Sequence, residues 1–384
     1  MIYLDNSATT EPYPEVIHTF VTANERYFGN PSSLHQKSSE AENLLREARR
    51  AIARLLNAQP SEVVFTSGGS ESNNLAIQGI ARAREKRGRH LITTAVEHPS
   101  VLETCEFLET VGFSVTYLPV NEEGVVSLTD LKQAITEETI LVSVMHVNHE
   151  TGAIQPVLEF GEYLKKFEKI RFHVDNVQGF GKVDLDLQSV GIDLCSVSGH
   201  KIHGLKGTGF LYVRSGVNIQ PLVFGGGQEF QLRAGTENVP AIASLAKAAR
   251  MAMEKKEVQN SKLARMKEEL LEWFDAQEGV HVNTPKETSA PHIMNVSIER
   301  TMPEVLIQAL SNKDIHVSSK SACASKQPSK SAVLLAQFGE EDERAATGLR
   351  VSMSWQTSQA DLEALKAALS QIVPQVREMK EVKS

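Results

Sequence analysis

The hydrophobic pattern of the chain alternates between short apolar runs and longer segments with apolar residues at helical spacing. Buried-type strands are predicted at 63–66, 90–94, 115–118, 140–144, 172–175, 193–198 and 210–213. Between and before them, helical spacing predicts helices at 15–23, 38–56, 75–83, 101–111 and 128–134. Strands that alternate with helices are typical of an α/β fold.

A second unit is predicted in the last third of the chain. An amphipathic helix at 261–277 marks the change, and strands at 293–298, 315–318 and 349–353 then alternate with helices at 303–310, 331–338 and 359–373. With 384 residues the chain exceeds the size at which one core stops growing, so two domains are expected. The charged end from Arg377 is expected to fray.

Composition narrows the class of protein. Hydrophobic residues make up 41% and charged residues 23%, as in soluble globular proteins. The net charge of −8 argues against nonspecific binding of nucleic acid or membrane. There is no membrane-length apolar run and no signal-peptide pattern, and the three widely spaced cysteines suit a reducing compartment. We therefore expect a cytoplasmic protein.

The most informative stretch runs from residue 172 to 213. Asp175 ends a predicted strand, where open α/β sheets bind ligands, and Lys201 lies on a turn bracketed by Gly199 and Gly204. This pair suits pyridoxal phosphate (PLP), in which a lysine binds the aldehyde and an aspartate pairs with the ring nitrogen. Taken singly, Lys201 is more simply a surface lysine and Asp175 a helix cap. Together with the segments below, they favour PLP.

Two further segments fit such a site. Gly68, Gly69 and Ser70 follow a strand and precede a helix, so free N–H groups and the helix dipole there suit a phosphate. The segment matches neither the Walker loop nor the dinucleotide-binding glycine pattern. His98 stands at a predicted helix start, where a lone histidine is more often a cap, although its pKa suits proton transfer.

A thiol forms the second chemical group. Cys323 lies in a polar loop with Lys320 and Lys326, which predicts exposure and favours the thiolate. Cys105 and Cys195 lie in apolar segments and are predicted to be buried and structural. His146 and His149 lack partners at metal-ligand spacing, so no metal site is predicted.

These segments together carry a family resemblance. The stretches 174–178 and 198–204 closely resemble the PLP site of cysteine desulfurases of the NifS/IscS type, in the class V aminotransferase family. The similarity runs from Tyr3 to the helix after Arg350. It implies a homodimeric fold-type I PLP-dependent transferase, with a mostly parallel seven-stranded sheet in a large domain, residues 16–260. Residues 1–15 and 261–384 would form the smaller α/β domain carrying the cysteine loop.

The resemblance also implies roles for single residues. Lys201 would bind PLP, Asp175 its ring nitrogen, and His98 would stack on the ring and move protons. Arg350 would bind the substrate carboxylate, and Cys323 would take the sulfur. The other implied cofactor contacts are Gly69, Ser70, Asn148, which also lies near the substrate, Gln178, Ser198, His200 and, across the dimer interface, Thr236.

The activity implied is conversion of L-cysteine to L-alanine, with the sulfur held as a persulfide on Cys323. A protein acceptor would then take the sulfur for tRNA thiolation or Fe–S cluster assembly. Departures from the family pattern at Ala234, Phe230, 326–328 and 354–355 put loop geometry and partner choice in doubt. The short carboxyl-terminal tail favours a tRNA-thiolation protein over a scaffold. The alternatives are a PLP lyase or aminotransferase acting on another amino acid, and a non-catalytic sulfur-transfer partner.

Overall fold

The computed structural model describes residues 1–320 and 330–381. Its strands are β1 (Ile2–Tyr3), β2 (Val63–Thr66), β3 (His90–Thr94), β4 (Ser114–Leu118), β5 (Thr139–Met145), β6 (Arg171–Asp175), β7 (Leu194–Ser198), β8 (Gly209–Val213), β9 (Val280–Val282), β10 (Ile293–Ile298), β11 (Ile315–His316) and β12 (Gly348–Ser352).

The helices lie between and around these strands. They are α1 (Pro14–Arg26), α2 (Gln36–Leu55), α3 (Gly69–Arg84), α4 (Pro99–Thr110), α5 (Leu128–Ala134), α6 (Val157–Leu164), α7 (Leu187–Val190), α8 (Val239–Asp275), α9 (Pro303–Ser311), α10 (Ala332–Phe338), α11 (Arg344–Thr347) and α12 (Gln359–Glu381). Short 3-10 helices cover Pro60–Glu62, Glu85–Arg87, Gly199–Lys201 and Gln228–Gln231.

The large sheet has seven strands in the order β2-β8-β7-β6-β5-β3-β4. Strand β8 runs antiparallel to both of its neighbours, and the other pairs are parallel. Every residue of β5 is buried, as expected for a parallel strand covered by helices on both faces. The predicted fold class, a mostly parallel seven-stranded sheet in a fold-type I transferase, is confirmed.

The topology gathers several strand ends at one edge of this sheet. Met145, at the end of β5, pairs with Asp175 at the end of β6, and Asp175 pairs with Ser196 of β7. Strand β2 is antiparallel to β8, which is antiparallel to β7, so β2 points the same way as β7. The loop after β2 and the start of α3 therefore reach the edge at which Asp175 lies.

A smaller core lies beside the sheet. Strand β10 pairs antiparallel with β9 and β12, and β1 pairs with β11. One cluster of buried apolar side chains joins Leu4 at the amino terminus to residues between 263 and 376. This distribution supports the division at residues 15 and 260, which remains a prediction.

Several helices are longer than predicted, among them α8 and α12. The predicted helix at 261–277 is the second half of the 37-residue α8, which buries Leu245 in the sheet core and Leu270 in the smaller core. Helix α12 continues through Pro374. The prediction of fraying is wrong for Arg377 itself, because its guanidinium donates to the carbonyl oxygens of Glu278, Gly279 and Glu299. No helix in the described ranges could span a membrane.

Candidate active site

A cavity of about 170 Å³ opens at the sheet edge where the strand ends meet. It brings together most of the site residues that were predicted from the sequence. The predicted site residues that line it are Gly69, Ser70, His98, Asp175, Gln178, Ser198, His200, Lys201 and Arg350.

Lys201 ends a single 3-10 turn that follows β7. Its Nζ donates to the carbonyl oxygens of Ser7 at 2.5 Å and Ala8 at 2.8 Å. A Cβ at Gly199 would come within 2.2 Å of the Thr208 hydroxyl oxygen, so this turn requires glycine. The amino-terminal segment thus holds the lysine amine at the cavity wall, a contact that strand and helix patterns could not reveal.

Asp175 is a buried carboxylate with both oxygens engaged. Oδ2 accepts from Asn73 Nδ2 at 2.8 Å and Oδ1 accepts from the Val177 N–H at 2.9 Å. Burial raises the pKa of Asp175, while these two hydrogen bonds and the charge of Lys201 act against that rise. The site thus holds a carboxylate oriented to face a cation. Asn73 was missed, although it lies four residues after Gly69 and therefore on the same helix face.

His98 caps helix α4 and lines the cavity. Its Nδ1 lies 3.1 Å from the Ser100 backbone N–H, which can only donate, so the hydrogen bonding assigns the remaining proton to Nε2. Burial, and then the charge of Lys201, lower the pKa of His98 to about 4. The ring of His149 meets it edge-on at 5.4 Å between centroids. Near neutral pH, the cavity therefore has a neutral imidazole on this side.

The start of α3 forms a cradle for an anion. The helix begins at Gly69, not at residue 75 as predicted, so Gly69 and Ser70 occupy its first turn, whose N–H groups have no partner within the helix. A Cβ at Gly69 would come within 2.8 Å of Val177 Cγ2. The buried hydroxyl of Ser198 has no hydrogen-bond partner among the described residues. These groups fit a phosphate.

Arg350 also lines the cavity and is almost completely buried. It donates from Nη1 to the His149 carbonyl at 2.8 Å, from Nε to Ser318 Oγ at 3.0 Å, and from Nη2 to Asp5 Oδ1 at 3.0 Å. The Ser318 hydroxyl donates to the same Asp5 oxygen at 2.7 Å. Among the described residues, these bonds use three of the five guanidinium N–H groups, which leaves two for a ligand carboxylate.

Two of the predicted site residues that the structure describes, Asn148 and Thr236, do not line the cavity. Asn148 Oδ1 accepts from the N–H groups of Glu150 and Thr151, so this side chain stabilises the loop after β5. Thr236 is exposed. Cys323 lies outside the described residues. The cofactor and substrate roles of all three stay predictions.

The two remaining cysteines are buried, as predicted. Burial raises the pKa of Cys105 to about 12 and also raises that of Cys195, so both are thiols at neutral pH. In the part of the chain that the structure describes, no group of three or more His, Cys, Asp or Glu residues could hold a metal ion.

Comparison with known proteins decides the family. The model of the family described as Aminotransferase class-V matches residues 2–365. The chain belongs to the class-V aminotransferase family.

Within that family the relatives are cysteine desulfurases of the NifS/IscS type. The chain is 45% identical to a protein named cysteine desulfurase IscS from Clostridium botulinum, over 98% of this chain and 96% of the relative. A solved structure titled NifS-like protein superposes with a TM-score of 0.91 at 36% identity, covering 97% and 99% of the two chains. Another, titled SspA in complex with cysteine, gives 0.81 at 35% identity over 93% and 100%.

Membership makes the chain a PLP-dependent enzyme of the cysteine desulfurase type. Its cavity has groups suited to each part of that cofactor. A lysine amine is present for the aldehyde, a buried carboxylate for the ring nitrogen, and a helix start together with the Ser198 hydroxyl, which no described residue satisfies, for the phosphate. The side chains that line the cavity of this class-V aminotransferase therefore fit PLP.

Proposed function

We propose that the protein converts L-cysteine to L-alanine and holds the sulfur as a persulfide on Cys323, for transfer to a protein acceptor. The observation that carries the proposal is the single cavity that Lys201, Asp175, His98 and Arg350 line together. Lysine, aspartate and histidine suit the cofactor. A buried arginine that uses only three of its five N–H groups on the described residues suits an amino-acid carboxylate. The relatives' names support cysteine as that amino acid.

The proposed cofactor contacts follow from the cavity wall. Lys201 would bind the aldehyde, Asp175 would hold the ring nitrogen protonated, and His98 would lie against the ring. Gly69, Ser70, Ser198 and His200 would bind the phosphate, with Gln178 beside the ring. Bound there, PLP supplies an electron sink for the charge that develops at the substrate Cα.

The protein groups then have separable tasks. Arg350 would bind the substrate carboxylate with its two remaining N–H groups and so fix the position of Cα. Lys201 is the better proton acceptor, because His98 Nδ1 already accepts from the Ser100 N–H and its Nε2 carries a proton. Asn148 would act through the loop that it stabilises after β5.

The thiol completes the reaction. The Cys323 thiolate would attack the substrate sulfur, so that an S–S bond forms and the Cβ–S bond of the substrate breaks with its electron pair going to Cβ. Cβ then takes one proton, the proton removed from Cα is replaced, and alanine leaves. A lyase or an aminotransferase would have no need of this cysteine.

The test is to follow the sulfur. After incubation with L-cysteine and no reductant, mass spectrometry should find one added sulfur on the peptide that contains Cys323. The variant Cys323→Ala should bind cysteine but form no alanine, while the control Cys105→Ala should stay active, because burial keeps that thiol protonated. Alanine production at the wild-type rate by Cys323→Ala would favour the alternative hypothesis, a lyase that does not use Cys323.

We also propose that the enzyme is a cytoplasmic homodimer, in which Thr236 reaches the phosphate of the partner's cofactor. Large apolar side chains are exposed on two loops: Phe28 at 71% and Leu34 at 104%, then Phe224 at 77% and Phe230 at 49%. Exposed apolar groups of this size mark interaction surfaces. Sedimentation of a fully active monomer would contradict this arrangement.

The sulfur acceptor is proposed to be a protein of tRNA thiolation, with an Fe–S scaffold as the alternative. Incubating the persulfide form with purified candidates of both classes should move the labelled sulfur to the thiolation protein. No direct contact with nucleic acid or membrane is proposed.

A further inference from the structure

A second, smaller cavity of about 30 Å³ lies behind Lys201. Among the described residues, only Lys201 lines both this cavity and the active-site cavity. Asn6, Lys182, His292 and Trp355 also line it. We refer to it as the rear cavity. None of the roles assigned to the active site uses these four residues.

The rear cavity has an unusual number of buried polar atoms without partners. Lys182 Nζ, both ring nitrogens of His292, Trp355 Nε1 and Asn6 Oδ1 make no hydrogen bond to any described residue. Although the Lys182 residue as a whole is partly exposed, its Nζ is buried. Buried polar groups in folded proteins are almost always hydrogen-bonded, so several such atoms around one cavity indicate an occupant.

The chemistry of these atoms specifies the charge of the occupant. The ammonium of Lys182 and the indole of Trp355 are donors only, and a neutral His292 offers one N–H. The described lining of the rear cavity contains no aspartate or glutamate, while it contains both Lys182 and Lys201. Donors and positive charge without a carboxylate suit an anion.

The size of the cavity limits what the anion can be. A cavity needs about 10–15 Å³ to hold one water molecule. A volume of about 30 Å³ therefore holds two atoms of that size and excludes oxyanions such as sulfate. One position suits a monatomic anion beside the donors, and the other suits a water that donates to Asn6 Oδ1.

We propose that the rear cavity binds one halide ion, together with one water molecule, through Lys182 Nζ, His292 and the indole N–H of Trp355. The electrostatics agree with this assignment. Without the anion, burial and the charge of Lys201 lower the pKa of Lys182 to about 7. A bound anion would compensate the positive charge of Lys182 in the rear cavity, which Lys201 also lines.

The direct test is bromide binding to crystals of the PLP-loaded full chain. An anomalous peak should lie within hydrogen-bond distance of Lys182 Nζ, Trp355 Nε1 and a ring nitrogen of His292. Water alone in the rear cavity, with bromide only on the surface, would overturn the proposal. Because this measurement uses the wild-type chain, it does not depend on whether a variant folds.

A solution test separates this site from general salt effects. Chloride should raise the melting temperature of the holoenzyme saturably, relative to gluconate at equal ionic strength. Lys182→Met should weaken the apparent chloride affinity by about tenfold or more, because a charged donor is lost. The control Lys286→Met removes an exposed lysine paired with Asp275 and should leave the affinity unchanged. Equal chloride responses in the wild type and Lys182→Met would contradict the proposal.

Discussion

The two walls of the active-site cavity are built in different ways. On the cofactor wall, Asp175 ends one strand and Lys201 follows the neighbouring strand of the same sheet, 26 positions later in the printed sequence. On the substrate wall, Arg350 is held by Asp5 and Ser318, which come from the beginning and the last quarter of the chain. The cofactor wall is thus a product of sheet topology, whereas the substrate wall exists only after three distant segments have packed together.

The largest effect is expected on the cofactor wall, from Lys201→Ala. Loss of the amine should lower kcat by about 1000-fold or more, because the same amine binds the aldehyde and accepts the proton. Steady-state alanine production and the visible spectrum of the holoenzyme measure the two losses. Lys206→Ala, an exposed lysine five residues away, is the matched control and should be close to wild type.

Asp175→Asn should lower kcat by about 100-fold or more while cofactor stays bound, because a neutral amide cannot hold the ring nitrogen protonated. Stopped-flow rates of Cα deprotonation with deuterated cysteine measure the loss. The control is Asp193→Asn, a buried carboxylate that accepts from the Phe172 N–H outside the cavity. It should lower stability with little effect on kcat, and equal kcat losses in both variants would contradict the role of Asp175.

The substrate wall should respond differently. Asp5→Asn weakens the ion pair that orients Arg350, so KM for cysteine should rise by about tenfold while kcat changes little. Binding of cysteamine, which lacks a carboxylate, should be unaffected. The control is Asp314→Asn, an exposed acid that pairs with the amino-terminal amine of Met1. A fall in kcat without a change in KM would show that Asp5 acts on the chemistry instead of on Arg350.

The smallest effect concerns stability and pH. Glu97 Oε1 accepts from the Thr94 hydroxyl at 2.8 Å and the Met145 N–H at 2.9 Å, and burial raises the pKa of Glu97 to about 8. The folded state therefore keeps a proton that the unfolded chain loses near pH 4.5. The free energy of unfolding should fall by up to about 1.4 kcal/mol per pH unit as the pH rises between these values.

Glu97→Gln isolates this contribution. The variant should gain stability relative to wild type as the pH rises from 5 to 8, which urea denaturation of the holoenzyme at several pH values measures. Glu103→Gln, an exposed glutamate in helix α4, which begins two residues after Glu97, should follow the wild-type curve. If the Glu97→Gln and wild-type curves stayed parallel, Glu97 would not be protonated in the folded state.

The same difference between the walls explains what could be predicted from the sequence. Apolar runs predicted the strands, and the residues after them, such as Asp175 and Gly69, lie where parallel strand ends meet. The role of Asp5 and the carbonyl oxygens that accept from Lys201 depend on tertiary contacts of the amino-terminal segment, for which no periodicity exists. The extent of α8 was missed because its polar middle interrupts the apolar spacing between two cores.

Helix α8 has a mechanical consequence for the enzyme. Its 37 residues extend for about 55 Å as one rod, with one end packed in the core beneath the cofactor wall and the other in the core that carries Arg350. A hinge between the two cores would have to bend this rod. Helix α8 therefore resists a change in the span between Arg350 and Lys201.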